Sequence, residues 1–259
     1  AADPTAAPDG DGDPTTLTVA MECAYAPYNW TQSDDSNGAV PIKDSSDYAN
    51  GYDIMMAKKI CEANGWKLEV VRLDWDSLVP AVQTGKVDAV IAGQSMTEER
   101  MQQVDFAGPY LYASIVCMTK QNSKYANATS LADLAGAKCT SQLGTIWYTT
   151  CLPQINGALI QTAQETAPSM LMALETGAVD FICTDMPTAM GAAAQDDNLV
   201  ILNFSGTPGD FQFASEAERA ENVNIGISVR KGNTVLKDAI DSVLSTMTED
   251  DFNQLMDEA

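Results

Sequence analysis

The feature that most constrains the fold is a repeated unit. Val82-Gln83-Thr84-Gly85-Lys86-Val87-Asp88-Ala89-Val90-Ile91-Ala92-Gly93 matches Leu174-Glu175-Thr176-Gly177-Ala178-Val179-Asp180-Phe181-Ile182-Cys183-Thr184-Asp185, with Thr, Gly, Val and Asp at the same places. Each copy reads as the end of a helix, a glycine that terminates it, an acid, and a short apolar run of strand length. A helical pattern precedes both, from Trp75 to Val82 and from Met170 to Leu174. Two such units predict two lobes of similar construction.

The remaining segments keep the same alternation. Strands are predicted over 17–22, 68–71, 114–119, 137–142 and 225–229. Asp53 predicts the cap of a helix whose Ile54, Ala57, Ile60 and Cys61 form one apolar face and which stops at Asn64-Gly65. A short helix is expected over 131–134, another after Gly144-Thr145, and an amphipathic one over 234–246. Strands alternating with helices imply parallel sheets covered on both faces. Ligands of such open sheets sit outside the carboxyl ends of the strands. In the repeat those ends are Ala92-Gly93 and Thr184-Asp185.

Composition narrows the function. A chain of 259 residues that is 45% apolar buries one large core or two modest ones. Asp and Glu outnumber Lys and Arg by 36 to 14, and the resulting charge of −22 repels phosphate backbones and anionic headgroups, which argues against nucleic acid or a membrane surface as partner. No run approaches the roughly 20 apolar residues of a membrane helix. The chain has no histidine, so Ser-His-Asp and Cys-His catalysis and His-containing zinc sites are excluded. Asp9, Asp11 and Asp13 alternate as in a calcium loop. Pro14, however, stands at the turn glycine and Ala20 at the bidentate glutamate. Gly85-Lys86 is followed by Val87 and lacks the earlier glycine of a phosphate loop. No metal and no cofactor is expected.

Residues 1–16 are Ala, Asp, Pro, Gly and Thr without periodicity, which predicts a flexible tether of the kind that suits a lipoprotein. The six cysteines show no close pairing. Cys117, Cys139 and Cys183 lie in strand-like contexts, and the spacing admits either free buried thiols or at least one disulfide.

Several motifs follow one another in a distinctive order. They are Gly51-Tyr52-Asp53-Ile54 with Ala57-Lys58, Trp75-Asp76-Ser77-Leu78, Gly85-Lys86-Val87-Asp88, Met96-Thr97, Glu99-Arg100, Val104-Asp105-Phe106 and Pro109-Tyr110. Leu131-Ala132-Asp133-Leu134-Ala135-Gly136, Gln142-Leu143-Gly144-Thr145, Gly177-Ala178-Val179-Asp180 and Ile225-Gly226-Ile227 continue the series. With these the chain resembles family 3 solute-binding proteins, the polar amino-acid receptors of bacterial ABC transporters. The resemblance implies an α/β, two-lobed periplasmic-binding-protein-like fold of type II. Each lobe would be a mostly parallel sheet flanked by helices, with two hinge crossings. Lobe 1 would comprise 17–113 and 223–259, and lobe 2 residues 114–222.

The same resemblance implies a ligand site. Arg100 matches the arginine that grips the ligand α-carboxylate, where a planar guanidinium offers two parallel charge-assisted bonds. Gly93 and Ser95 match a carbonyl and a hydroxyl near the ammonium and carboxylate. Thr145 matches a backbone N–H donor to the carboxylate, and Asp185 the acid on the ammonium. Tyr25 and Trp75 match aromatic walls, with Trp30 a weaker candidate. Glu22, ending the first strand, is either solvated or the partner of a distal cation on a basic ligand. Ile146, Trp147 and Gln142 depart from several relatives, which bears on ligand identity.

The implied protein is not an enzyme. It is an extracytoplasmic, monomeric receptor, tethered as a lipoprotein or periplasmic, that takes a polar and preferably basic amino acid by hinge closure and delivers it to an ABC transporter permease. The alternatives are a cleft enzyme of the same fold, such as a dehydratase with Glu22 as its acid or base, and a ligand-sensing domain.

Overall fold

The computed structural model describes residues 15–259. Most of the expected tether, and the acidic run from Asp9 to Asp13, lie outside the described residues. The chain divides into two compact units, one of residues up to Tyr112 together with Ala220–Ala259, the other Ala113–Arg219.

In the first unit β1 (Thr16–Met21) is followed by four short strands, β2 (Ala24–Tyr25), β3 (Asn29–Gln32), β4 (Val40–Pro41) and β5 (Tyr48–Asn50). Then come α1 (Tyr52–Asn64), β6 (Lys67–Arg72), α2 (Trp75–Gln83), β7 (Ala89–Val90), α3 (Glu98–Gln103) and β8 (Val104–Tyr112). The second unit holds β9 (Ile115–Lys120), β10 (Lys138–Thr140), β11 (Leu159–Ile160), α4 (Ala167–Glu175), β12 (Phe181–Asp185), α5 (Met186–Gln195) and β13 (Leu199–Leu202). After α6 (Glu216–Val223), the chain re-enters the first unit as β14 (Asn224–Arg230), α7 (Thr234–Leu244) and α8 (Glu249–Glu258).

The first unit is built on a sheet of order β6-β1-β7-β14-β8 and the second on one of order β11-β10-β12-β9-β13. β1 runs parallel to β6 and β7, whereas β14 runs antiparallel to β7 and β8. In the second unit β10 is parallel to β11 and β12, and β9 antiparallel to β12 and β13. Each sheet is thus parallel on one side and antiparallel on the other, less parallel than the alternation predicts. The difference lies in β9 and β14, the strands that follow the two crossings between the units and run against their neighbours. Strands covered on both faces read as continuous apolar runs. Leu17, Val19, Ala20 and Met21 of β1, and Val116, Cys117 and Met118 of β9, are fully buried. Helices α2 and α7 cover the first sheet, and α4 and α5 the second. Burial of each large apolar side chain contributes roughly 1.5–3 kcal/mol.

The predicted strands and helices recur within one to three residues, with three differences. First, Gly51, and not Asp53, occupies the position before α1, and Asp53 is fully buried inside the first helical turn. Its carboxylate serves Tyr110 and Asn29 instead of the helix end. Second, the segment after Thr145 is a π turn (Trp147–Cys151) running into a 3-10 turn (Leu152–Gln154), and not an α-helix. Third, residues 24–50 form a separate antiparallel sheet of order β2-β3-β5-β4 that the alternation does not foreshadow.

Candidate functional site

In the first unit three adjacent parallel strands point their carboxyl ends the same way, and the residues that follow them carry the candidate chemistry. Glu22 follows β1, Trp75 begins α2 after β6, and Gly93 and Ser95 follow β7. This is the edge at which open α/β sheets bind ligands. Thr97 accepts the Arg100 N–H at 3.3 Å and so starts the short helix α3 that carries Arg100.

Contacts join five of these residues. Arg100 Nη1 donates to the Ser95 carbonyl at 2.8 Å, and its Cζ lies 5.5 Å from the Trp75 ring centre. A cation over an indole face is attracted by the ring quadrupole. Trp75 meets Tyr25 edge to face, with centroids 6.4 Å apart. Tyr25 presses on Gly93: a Cβ there would stand 2.8 Å from Tyr25 Cε1, and the Gly93 φ of 65° disfavours one anyway. Burial pulls the Arg100 guanidinium down to about 10, so it remains a cation at neutral pH. Glu22 is 7% exposed at the end of β1, next to Cys23, whose thiol burial pushes up to about 12.

The second unit repeats the plan. Thr145 follows β10 and Asp185 ends β12, and these are neighbouring parallel strands. Both residues are buried. Asp185 caps α5 by accepting the Thr188 N–H at 3.0 Å. The Thr145 hydroxyl donates to the Gln142 carbonyl at 2.7 Å, which leaves its oxygen to act as an acceptor. Behind this edge, Cys117 and Cys183 are directly paired across β9 and β12. The Cys183 thiol is pushed well up by burial and then by its neighbours Cys117 and Cys151. All six cysteines are buried and free, which resolves the two readings that spacing left open.

Sequence reasoning missed several residues of the first unit. Tyr28 stacks on Tyr25 at 4.7 Å. Trp30 crowds Gly51, where a Cβ would come 2.9 Å from its ring and 2.4 Å from the Tyr28 carbonyl oxygen. Gly51 is therefore required by close approach. Asn29, Asp53 and Tyr110 lie fully buried just beneath Tyr25 and Gly93. The Gly51-Tyr52-Asp53 and Pro109-Tyr110 motifs were their only traces in the sequence.

Chemically, the first unit offers a fixed guanidinium, a backbone turn at Gly93 and an aromatic surface, and the second a carboxylate and a helical-turn start. Guanidinium and carboxylate are the complements of a carboxylate and an ammonium.

Comparisons with known proteins bear on this set. The family model of the bacterial extracellular solute-binding proteins, family 3, matches residues 17–258. A probable histidine-binding protein of Campylobacter jejuni is 30% identical over 212 residues, covering 81% of this chain and 76% of the relative. An ancestral arginine-binding protein solved with arginine aligns at a TM-score of 0.72 and 29% identity, covering 94% of this chain and 97% of its own. A Streptococcus pneumoniae amino acid ABC transporter substrate-binding protein bound to L-arginine aligns at 0.78 and 24% identity, covering 94% and 93%. The fold is that of the two-lobed, type II periplasmic binding proteins.

Proposed function

Since the chain belongs to the bacterial extracellular solute-binding proteins, family 3, we propose that it captures one free amino acid and presents it to an ABC transporter permease. Arg100 holds the α-carboxylate, helped by the Thr145 N–H and the Ser95 hydroxyl. The Gly93 carbonyl and Asp185 hold the α-ammonium. Tyr25 and Trp75 flank the side chain. The observation that carries this reading is Arg100 itself, fixed between the Ser95 carbonyl and the Trp75 ring at the carboxyl edge of β7 and β1. A half-buried guanidinium that is already oriented loses little further freedom when it takes a carboxylate.

Capture proceeds by closure of two lobes about crossings near 111–115 and 221–225. Arg100 and Gly93 stand on one lobe, Thr145 and Asp185 on the other, so the second set stabilises only the closed state. The ligand is polar and preferably basic, with Glu22 meeting its distal cation beside Tyr25. The arginine- and histidine-binding relatives support this preference. The protein acts as a monomeric, non-enzymatic receptor outside the cytoplasm, with residues 1–16 as a lipoprotein tether.

A thermal-shift screen against the twenty amino acids, cystine and ornithine tests the reading. A ligand at 100 times its Kd stabilises by about 2.7 kcal/mol. No stabilisation by any of them overturns it, and stabilisation by glutamine or acidic amino acids alone overturns the role of Glu22.

A further inference from the structure

Two peptide units bracket the candidate residues of the first unit. Cys23, between Glu22 and Tyr25, has a φ of 57°. That left-handed conformation is one that a residue bearing a Cβ rarely adopts. Gly93 is also left-handed and stands two residues before Ser95. Each unit is held by its own N–H. Cys23 N–H donates to Asn29 Oδ1 at 2.7 Å, and Gly93 N–H donates to Tyr110 Oη at 3.0 Å.

These two side chains converge on one carboxylate. Asn29 Nδ2 donates to Asp53 Oδ2 at 2.7 Å, and the Tyr110 hydroxyl donates to Asp53 Oδ1 at 2.6 Å. Asn29, Asp53 and Tyr110 are each fully buried. We infer that Asp53 is a positioning residue for ligand capture, fixing through Asn29 the turn that carries Glu22 and Tyr25 and through Tyr110 the turn that carries Gly93 and Ser95. This inference rests on the amino-acid clamp proposed above and adds the device that holds its first-lobe half in shape.

The polarity of the relay makes Asp53 hard to replace. A backbone N–H can only donate, so Asn29 must turn its carbonyl oxygen to Cys23 and its amino group to residue 53. Likewise Gly93 uses a lone pair of Tyr110, whose proton is thereby directed at residue 53. Burial, and then the charge of Asp53, push the Tyr110 phenol well up, so it keeps that proton. Residue 53 must therefore accept on both oxygens, which a carboxylate does and an amide does not. In Asp53→Asn an amino group faces the amino group of Asn29. Turning Asn29 over moves the clash to the Cys23 N–H, and turning residue 53 over moves it to Tyr110 and hence to Gly93. Every arrangement leaves a donor facing a donor within the relay that holds the two peptide units.

The surroundings hold residue 53 in place. Asp53 N–H donates to the Tyr28 carbonyl at 2.8 Å, Tyr52 N–H to the Pro27 carbonyl at 3.0 Å, and the Tyr52 hydroxyl to the Tyr110 carbonyl. The three residues Gly51-Tyr52-Asp53 thus have three separate physical tasks: close approach, a hydroxyl tie to β8, and the acceptor at the centre of the relay.

A polarity swap tests the inference. Asn29→Asp and Asp53→Asn together restore every bond, because an aspartate at 29 accepts from Cys23 N–H and from the new amide, whose oxygen accepts from Tyr110. The wild type, both single variants and the double variant are compared by calorimetry with L-arginine and by NMR hydrogen exchange at the Cys23 and Gly93 amides. Each single variant is expected to lose protection at one or both amides and to bind at least 10-fold more weakly. The double variant is expected to return within about 3-fold of the wild type. Singles that keep both protection and affinity, or a double variant that unfolds cooperatively yet recovers neither, overturn the inference. Arg100→Ala separates the two readings: it is expected to lose arginine while both amides stay protected. If the wild type takes no arginine, the series is repeated with the amino acid that stabilises it most in the thermal-shift screen; if none does, the ligand reading fails, and amide protection in the swap series alone upholds or overturns the relay.

Discussion

Asp88 and Thr18 are joined twice: Asp88 Oδ2 accepts the Thr18 N–H at 2.8 Å, and the Asp88 N–H returns to the Thr18 carbonyl at 2.9 Å. Asp180 and Lys138 repeat the arrangement in the second unit, with both bonds at 2.8 Å. The acid of the sequence repeat therefore does one task in both halves, tying the loop after a helix to the strand beside which the next strand is laid. Asp88 is buried and Asp180 half-buried. Asp88→Ala should cost about 1–3 kcal/mol by leaving a buried N–H unsatisfied, and Asp180→Ala less. Denaturant unfolding of the two variants measures the difference, and equal losses would show that burial does not set the cost.

Arg100→Ala should weaken ligand binding by about 2–5 kcal/mol, because it removes a charge-assisted partner and leaves the ligand carboxylate unpaired. Arg100→Lys should recover little of this, since an ammonium provides no planar fork. Calorimetry that finds Arg100→Ala unchanged removes the carboxylate assignment.

Gly93→Ala should lower stability by about 1–3 kcal/mol and impair binding together. The added Cβ meets Tyr25 at 2.8 Å and occupies a left-handed position. A variant with wild-type melting temperature and affinity would mean that the turn relaxes without consequence.

The buried thiols should be inert in the native protein. Burial pushes Cys23, Cys61 and Cys139 up to about 12, and Cys183 well up. The thiolate fraction at pH 8 is then on the order of 10⁻⁴ for the first three. Thiol reagents should label none of the six in the folded protein and all six in denaturant. Rapid native labelling would contradict the burial.

Acid should weaken the fold through two exposed capping boxes. Hydrogen bonds from Thr129 and Ser130 hold Asp133 below its ordinary 3.8, and those from Thr248 hold Asp251 below it. A carboxyl whose folded value is depressed stabilises the fold above its unfolded value and ceases to do so as pH falls through the folded one. Asp133→Asn with Asp251→Asn should therefore be less stable than wild type at pH 7, and the gap should close below about pH 4. A gap independent of pH would assign the effect to packing.

The sequence by itself determined the alternating α/β pattern, the two repeated helix-to-strand units and the strand ends that carry Glu22, Gly93, Thr145 and Asp185. It also excluded histidine chemistry outright. These features are local: strand and helix periodicities, a terminating glycine and the residue just beyond a strand all lie within a dozen positions of one another. Only the tertiary structure decided that Asp53 turns away from its helix end, that Tyr28 backs Tyr25, and that β9 and β14 make half of each sheet antiparallel. The bonds concerned join Asp53 to Asn29 across 24 residues and to Tyr110 across 57. A hydrogen bond across such a separation leaves no periodic trace in the chain, because its geometry exists only once the elements that carry its two ends have packed.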